Sequence, residues 1–178
     1  MKITIGICGG IAVYKVASLV SFLAKENDVK CIMTKHAQEF VTPLTFKTLS
    51  KKNVITDIFS ESEEGVVEHI KYAQDTDLLI IAPATADIIG KVANGIADDM
   101  LTSTIIASNK PVLFVPAMNT CMYENKIVQN NIKKLKEYGY FFIQPDTGHL
   151  ACNTDGVGKY PDNKKIIDFI EKMKGELL

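Results

Sequence analysis

Residues 2–25 read KITIGICGGIAVYKVASLVSFLAK. The first seven, KITIGIC, are strand-like, and positions 11–25 carry apolar residues at helical spacing. Gly9 and Gly10 fill the short turn between them. A strand, a tight turn and a helix make the first unit of an α/β fold, and the rest of the chain repeats the alternation. DVKCIMT (28–34) is a second strand, and DLLIIAP (77–83) a third. The third is almost wholly apolar, as a strand covered on both faces should be. Helical stretches follow at about 85–94 and 98–108, then the strand PVLFVP (111–116). A helix is expected from about 120 to Tyr138, with Gly139 as the residue that ends it. YFFIQP (140–145) is the last expected strand, and 161–176 a closing helix. Such alternation predicts a parallel sheet with helices on both faces: one doubly wound α/β domain of Rossmann or flavodoxin type, spanning 1–178. Two segments lack periodicity. One is 50–66, with SESEEG at 60–65; the other is the glycine-rich 145–160, PDTGHLACNTDGVGKY.

A chain of 178 residues suits one domain and buries enough surface to fold without disulfide or metal staples. Its net charge of −1 argues against a broad nucleic-acid or membrane footprint. No 18-residue apolar run exists, and the N-terminal apolar stretch is too short for a signal peptide, so a cytoplasmic location is expected. The cysteines at 8, 31, 121 and 152 form no C-x-x-C pair. The histidines at 36, 69 and 149 have no zinc-like spacing, so no metal is expected. Four free thiols are expected, with Cys8 and Cys31 in the core and Cys152 set apart in the glycine-rich loop.

Chemistry is expected where strands end, because ligands of open α/β sheets bind at the carboxyl edge. Backbone N–H groups at Gly9-Gly10, at the mouth of a helix, suit a phosphate. The spacing is G-x-x-G-G rather than G-x-G-x-x-G, and the second strand ends in Thr34-Lys35-His36 instead of an acidic residue. A hydroxyl and a cation there favour a mononucleotide's terminal phosphate over NAD. After the third strand, Pro83 is expected to stop the strand and Thr85 or Asp87 to cap a helix. Small residues at Ala82, Ala84 and Ala86 would let a flat ring approach the backbone. After the next strand comes PAMNTCMY (116–123), where Asn119 or Thr120 could cap the helix that follows and Asn119 fits a plain N-cap as well as a ligand-binding amide.

These stretches resemble the flavin-containing cysteine decarboxylases, over almost the whole chain. GGIAVYK (9–15) looks like the family's FMN-binding first turn. The stretch 69–99, from His69 through APATAD, looks like its catalytic histidine and flavin contacts. PAMNTCMY matches P-x-M-N-x-x-M-[WY], and GHLACNTDGVGK (148–159) matches a substrate flap with the core A-C-x-x-x-G-x-G. Two departures stand out: Asp87 where some relatives have Asn, and His149 where Ser or Thr is common.

The resemblance implies FMN held by Gly9, Gly10, Ile11, Thr34, Lys35, His36, Pro83, Thr85, Ala86, Asp87, Ile88 and Ala117. It implies substrate contacts at Met118, Asn119, Ala151, Gly156, Gly158 and Lys159, with His69 and Cys152 as catalytic residues. The flap matches most resemble members that decarboxylate 4′-phosphopantothenoylcysteine to 4′-phosphopantetheine in coenzyme A biosynthesis. Losing CO₂ from an amidated cysteine needs an electron sink that no side chain supplies. The family's route is transient oxidation of the thiol, loss of CO₂ and reduction of the enethiol. In that scheme Asn119 holds the carboxylate with a neutral donor, His69 acts or orients near the thiol and carboxylate, and Cys152 gives the final proton. A homotrimer, or a dodecamer of trimers, is implied, with FMN between subunits. No synthetase-like segment accompanies the flavin motifs, so a stand-alone decarboxylase is expected, with phosphopantothenate-cysteine ligase as a separate protein. Two other readings compete: a decarboxylase of C-terminal peptidyl cysteine, and a flavin-binding regulatory subunit of a phosphatase. The short, mixed-charge tail KMKGELL speaks against the second.

Overall fold

The computed structural model describes residues 1–59 and 67–177. The acidic stretch 60–65, part of the aperiodic segment 50–66, lies outside the described residues. Among the described residues six parallel strands form the sheet: β1 (Lys2–Ile7), β2 (Asp28–Met33), β3 (Val54–Ile55), β4 (Leu78–Ala84), β5 (Val112–Pro116) and β6 (Phe141–Phe142). Their order is β3-β2-β1-β4-β5-β6, so the direction of winding reverses between β1 and β4. Helices α1 (Val13–Leu23), α2 (Pro43–Ser50) and α8 (Asn163–Leu177) contribute to the core on one face. Helices α3 (Glu68–Gln74), α4 (Ala86–Ala93), α5 (Met100–Ala107) and α7 (Lys126–Glu137) contribute to the other.

The alternation of side chains along each strand creates these two cores. On β4, Leu78, Ile80 and Ala82 join Ile3, Ile5 and Ile7 of β1 and the α1 stripe Val13, Val16, Leu19, Val20 and Leu23. Leu79 and Ile81 face the opposite way, onto Ile88, Ile89, Leu101 and Ile105. Every residue of β4 is buried, which explains its uninterrupted apolar run. Gly6 admits α5 to this sheet, because a Cβ there would lie 2.3 Å from Leu101 Cδ1.

Four sequence expectations are corrected. The helix expected from 120 to 138 is two helices, α6 (Thr120–Glu124) and α7. Asn125 breaks it: its backbone is extended, and its side chain accepts a hydrogen bond from Ile127 N at 2.9 Å, capping α7. Strand β4 does not stop at Pro83 but runs to Ala84, with an irregular register between Ile81 and Ala84 that accommodates the missing N–H. The last sheet strand is only Phe141–Phe142, and the glycine-rich segment beyond it forms an antiparallel hairpin, β7 (Asp146–His149) and β8 (Asp155–Lys159). Within the other aperiodic segment, Val54–Ile55 adds an edge strand beside β2. The sequence also gave no warning of the 3₁₀ turn Lys35–Glu39 or of α2, whose one signal was Pro43 at its first turn. Gly139 does end α7, at φ 86°. No helix among the described residues is long and apolar enough to cross a membrane.

Candidate active site

The carboxyl ends of β1, β2, β4 and β5 open into one cavity of about 850 Å³, roofed by the β7–β8 hairpin. Its position at the reversal of strand order is where open α/β sheets bind ligands.

The β1 turn forms one wall. A Cβ on Gly9 would lie 2.4 Å from His36 Cβ, so only glycine lets this turn pack on the exit of β2. Gly10 faces open space instead, its nearest foreign atom being Thr85 Cγ2 at 3.9 Å from a built Cβ. The neighbouring turns that enter the cavity are capped by their own side chains. Thr34 Oγ1 accepts from Ala37 N at 3.3 Å, and Thr85 Oγ1 from Ile88 N at 3.3 Å. Helix α1 has no side-chain cap. In its first turn Val13 N and Lys15 N bond back to Gly10 O and Ala12 O at 3.0 Å each, so what the cavity offers an anion there, beside Gly10 and Lys35, is the positive end of the helix and not a full set of free donors. Ala86, Ile88, Ala117 and Met118 supply small or apolar wall. Asp87 also lines the cavity; it pairs with Lys91 at 3.6 Å, and Lys91 in turn reaches Asp98 at 3.0 Å.

Asn119 stands at the exit of β5 with both ends of its amide used. Its Oδ1 accepts from Cys121 N at 2.8 Å and so caps α6. Its Nδ2 donates to Cys152 Sγ at 3.2 Å. Cys152 sits at the tip of the hairpin, in a turn closed by Leu150 N to Thr154 O at 2.9 Å and Asn153 N to Leu150 O at 3.0 Å. Asn153 adopts φ 59° there, a left-handed conformation that asparagine tolerates. Thr154 Oγ1 lies 3.1 Å from Cys152 Sγ. Hydrogen bonds from Thr154 first and Asn119 second hold the Cys152 thiol below its ordinary value, since both stabilise the thiolate. Cys8 also lines the cavity, but burial pushes its thiol far up, leaving it protonated and inert.

Two glycines lock the hairpin onto this corner. Met118 N donates to Gly158 O at 2.9 Å, and a Cβ on Gly158 would fall 2.2 Å from Met118 O, at a φ of +126°. A Cβ on Gly156 would fall 2.3 Å from Thr120 Oγ1. At its base the hairpin is tied to α8 by Lys165 Nζ to Asp146 Oδ1 at 3.0 Å. Asn163 Nδ2 reaches Ser18 Oγ of α1 at 2.8 Å.

Of the residues singled out from the sequence, Gly9, Gly10, Ile11, Thr34, Lys35, His36, Thr85, Ala86, Asp87, Ile88 and Ala117 line the cavity, as do Met118, Asn119, Ala151, Cys152, Gly158 and Lys159. Three do not. Pro83 lies within β4 behind the wall, and Gly156 meets α6 instead of the cavity. His69 is half-buried in the first turn of α3, and its Nδ1 is buried with no hydrogen-bond partner among the described residues. Residues to which the sequence assigned no role of their own also line the cavity. Lys15 is a lone cation in the apolar start of α1, and its position five residues after Gly10 was the available signal. Tyr160 is 4% exposed with its hydroxyl unpartnered among the described residues, and burial raises its pKa, so it stays a neutral donor. Nothing in the sequence marked it.

Comparison with known proteins agrees with this geometry. The family described as Flavoprotein matches residues 1–175. The chain is 49% identical over 167 residues to the coenzyme A biosynthesis bifunctional protein CoaBC of Bacillus subtilis, covering 93% of this chain but 41% of that protein. It thus spans less than half the length of that relative. It is 42% identical to a probable phosphopantothenoylcysteine decarboxylase of Streptococcus mutans, covering 96% of this chain and 97% of that one. Among solved structures, a PPC decarboxylase mutant complexed with pantothenoylaminoethenethiol superposes with a TM-score of 0.89 at 27% identity, covering 98% of both chains. The FMN-dependent cysteine decarboxylase SpaF superposes at 0.83, also at 27% identity, covering 95% of this chain and 94% of that one.

Proposed function

The chain belongs to the flavoprotein family, and from that premise we propose that it is an FMN-dependent decarboxylase that converts 4′-phosphopantothenoylcysteine to 4′-phosphopantetheine. The observation that carries the reading is the 3.2 Å hydrogen bond from Asn119 Nδ2 to Cys152 Sγ, made where the flap closes over the cavity.

The residues present fit FMN. The uncapped start of α1, with Gly10 open beside it and Lys35 nearby, suits the phosphate. Ala86, Ala117 and Met118 leave room for a flat ring against the backbone, and the volume is in the range of a cofactor pocket that also admits a substrate. When bound, FMN supplies the reversible two-electron chemistry at sulfur that lets CO₂ depart.

The chain's own residues do the rest. An amide has two N–H donors. Asn119 gives one to Cys152 Sγ, leaving the other for the substrate carboxylate. A neutral donor holds that carboxylate without opposing its departure as CO₂. Sharing one amide also brings Cys152 Sγ near the carbon the carboxylate leaves. Cys152 then transfers its S–H proton to that carbon, and the thiolate left behind keeps its hydrogen bonds from Asn119 and Thr154. Cys152 is exposed at the hairpin tip of the single chain, so keeping water from these steps falls to the bound substrate and a neighbouring copy. Lys15, Lys35 and Lys159 line the cavity with no ion pair among the described residues, which supports a substrate that carries a phosphate besides its carboxylate.

His69 lies outside this lining and enters the reading through a neighbouring copy, in a homotrimer or a dodecamer of trimers. The exposed apolar side chains Ile11, Tyr14 and Met122 at the cavity support burial against such a copy. A cytoplasmic ligase that couples cysteine to phosphopantothenate would supply the substrate.

The test offers purified FMN-loaded protein three substrates: phosphopantothenoylcysteine, its unphosphorylated form, and a peptide ending in cysteine. CO₂ is measured alongside product mass. Preferred release of CO₂ from the phosphorylated compound supports the reading. Preference for the peptide would transfer the chemistry to a peptidyl substrate, and no release from any would remove it.

A further inference from the structure

We infer that Thr154 is the positioning residue of the flap: its hydroxyl fixes the Cys152 sulfur at the turn and holds the thiolate that proton transfer leaves behind. The inference deepens the decarboxylase reading and rests on it for the role of Cys152, though not for the geometry.

The turn brings the two side chains together. Leu150 N to Thr154 O closes the loop, and left-handed Asn153 reverses the chain between Cys152 and Thr154. The threonine hydroxyl then lies 3.1 Å from Sγ. A hydroxyl is both donor and acceptor. Toward the thiol it can accept the S–H; toward the thiolate it can donate. It therefore follows the sulfur through the change in protonation, whereas the Asn119 amide can only donate. The Thr154 bond is also the first cause of the lowered Cys152 pKa. The acidic, basic and imidazole groups on the elements around this turn are Asp146, His149, Asp155 and Lys159 of the hairpin, Glu124 of α6 and Lys15 of α1. None of them is among the causes of the shift, and His149 and Asp155 are engaged with each other at 3.4 Å. The local hydrogen bonds, not a nearby ion, set the sulfur's acidity.

The experiment follows alkylation of Cys152 by iodoacetamide as a function of pH, in FMN-loaded protein carrying Cys121→Ser so that one exposed thiol remains. Thr154→Val keeps the shape and the β-branch but loses the hydroxyl. Its alkylation midpoint is expected to move to higher pH, with the rate at neutral pH falling about threefold or more. Thr154→Ser, which keeps the hydroxyl, is expected to restore the original profile. A lost β-branch alone would shift Thr154→Ser and leave Thr154→Val unchanged, the reverse pattern, and would overturn the inference. An unmoved midpoint in Thr154→Val would overturn it as well. This readout does not depend on turnover. Failure of wild-type protein to release CO₂ from phosphopantothenoylcysteine would strike the decarboxylase reading, while the thiol profile still decides the role of Thr154.

Discussion

Asn119 and Cys152 are 33 residues apart in sequence and are joined by a hydrogen bond from Nδ2 to Sγ. One residue follows the end of a strand of the parallel sheet, and the other tips a hairpin that folds back over it. The same asparagine caps α6 through Oδ1, so its amide cannot flip without losing both contacts. The helix cap thereby fixes which end of the amide faces the thiol.

Asn119→Asp separates the two uses of this residue. Aspartate caps a helix as well as asparagine does, so α6 should stand and thermal stability should change little. The donor to Cys152 is lost, and a negative charge replaces it. Facing a substrate carboxylate at about 4 Å, that charge costs about 1 kcal/mol in water and more in a drier site. Together with the lost hydrogen bond, turnover should drop roughly a hundredfold with FMN retained. Steady-state kinetics beside flavin absorbance checks this; near-normal turnover would refute the role assigned to the amide.

Gly9→Ala and Gly10→Ala should differ although the residues are adjacent. The first drives a methyl to 2.4 Å from His36 Cβ and 2.8 Å from its backbone carbon; the second meets nothing closer than 3.9 Å. Gly9→Ala should lower Tm by several degrees and weaken FMN binding about tenfold or more, because the β1 and β2 exits must part. Gly10→Ala should leave the Tm of the flavin-free protein nearly unchanged. Melting curves with flavin titration measure both, and equal behaviour of the pair would contradict the packing described.

At the opposite edge of the sheet, Asp75 accepts from Lys2 and from Lys30, the latter at 2.5 Å. Hydrogen bonds from these two lysines hold its carboxyl at about 2, below its ordinary 3.8. A carboxylate with a depressed folded-state pKa stabilises above its unfolded value and loses that contribution as pH falls through the folded one. Wild type should therefore exceed Asp75→Asn in Tm at neutral pH, and the gap should close between about pH 4 and pH 2. Its partial exposure keeps the gap small, about 2 °C. A gap independent of pH would show that the lysine contacts do not depend on the charge.

Much of the fold was legible because the parallel strands are buried on both faces and stand out as apolar runs, as in β4 and β5. The hairpin was not, because its strands are polar and glycine-rich and take their order from docking. Gly156 shows the same limit at the site. A glycine in a motif reads alike whether it faces a ligand or lets two segments touch, and only the 2.3 Å approach to Thr120 assigns it to docking. Cys152 and Asn119 were legible as motif residues, but their contact was not, since it depends on the return of the hairpin. Tyr160 reads as an ordinary aromatic at the end of a strand; its buried, unpartnered hydroxyl exists only in three dimensions. His69 was conspicuous in sequence yet lies outside the cavity of its own chain.

The reaction of Cys152→Ser with phosphopantothenoylcysteine tests the central claim most directly, by anaerobic measurement of CO₂ and product mass. Serine nearly matches cysteine in shape and is a far weaker acid, so oxidation and CO₂ loss should proceed while the last protonation stalls. The expected result is about one equivalent of CO₂ per site, with an enethiol in place of 4′-phosphopantetheine. Continued release of CO₂ with normal formation of 4′-phosphopantetheine would contradict it and show that the proton comes from another group.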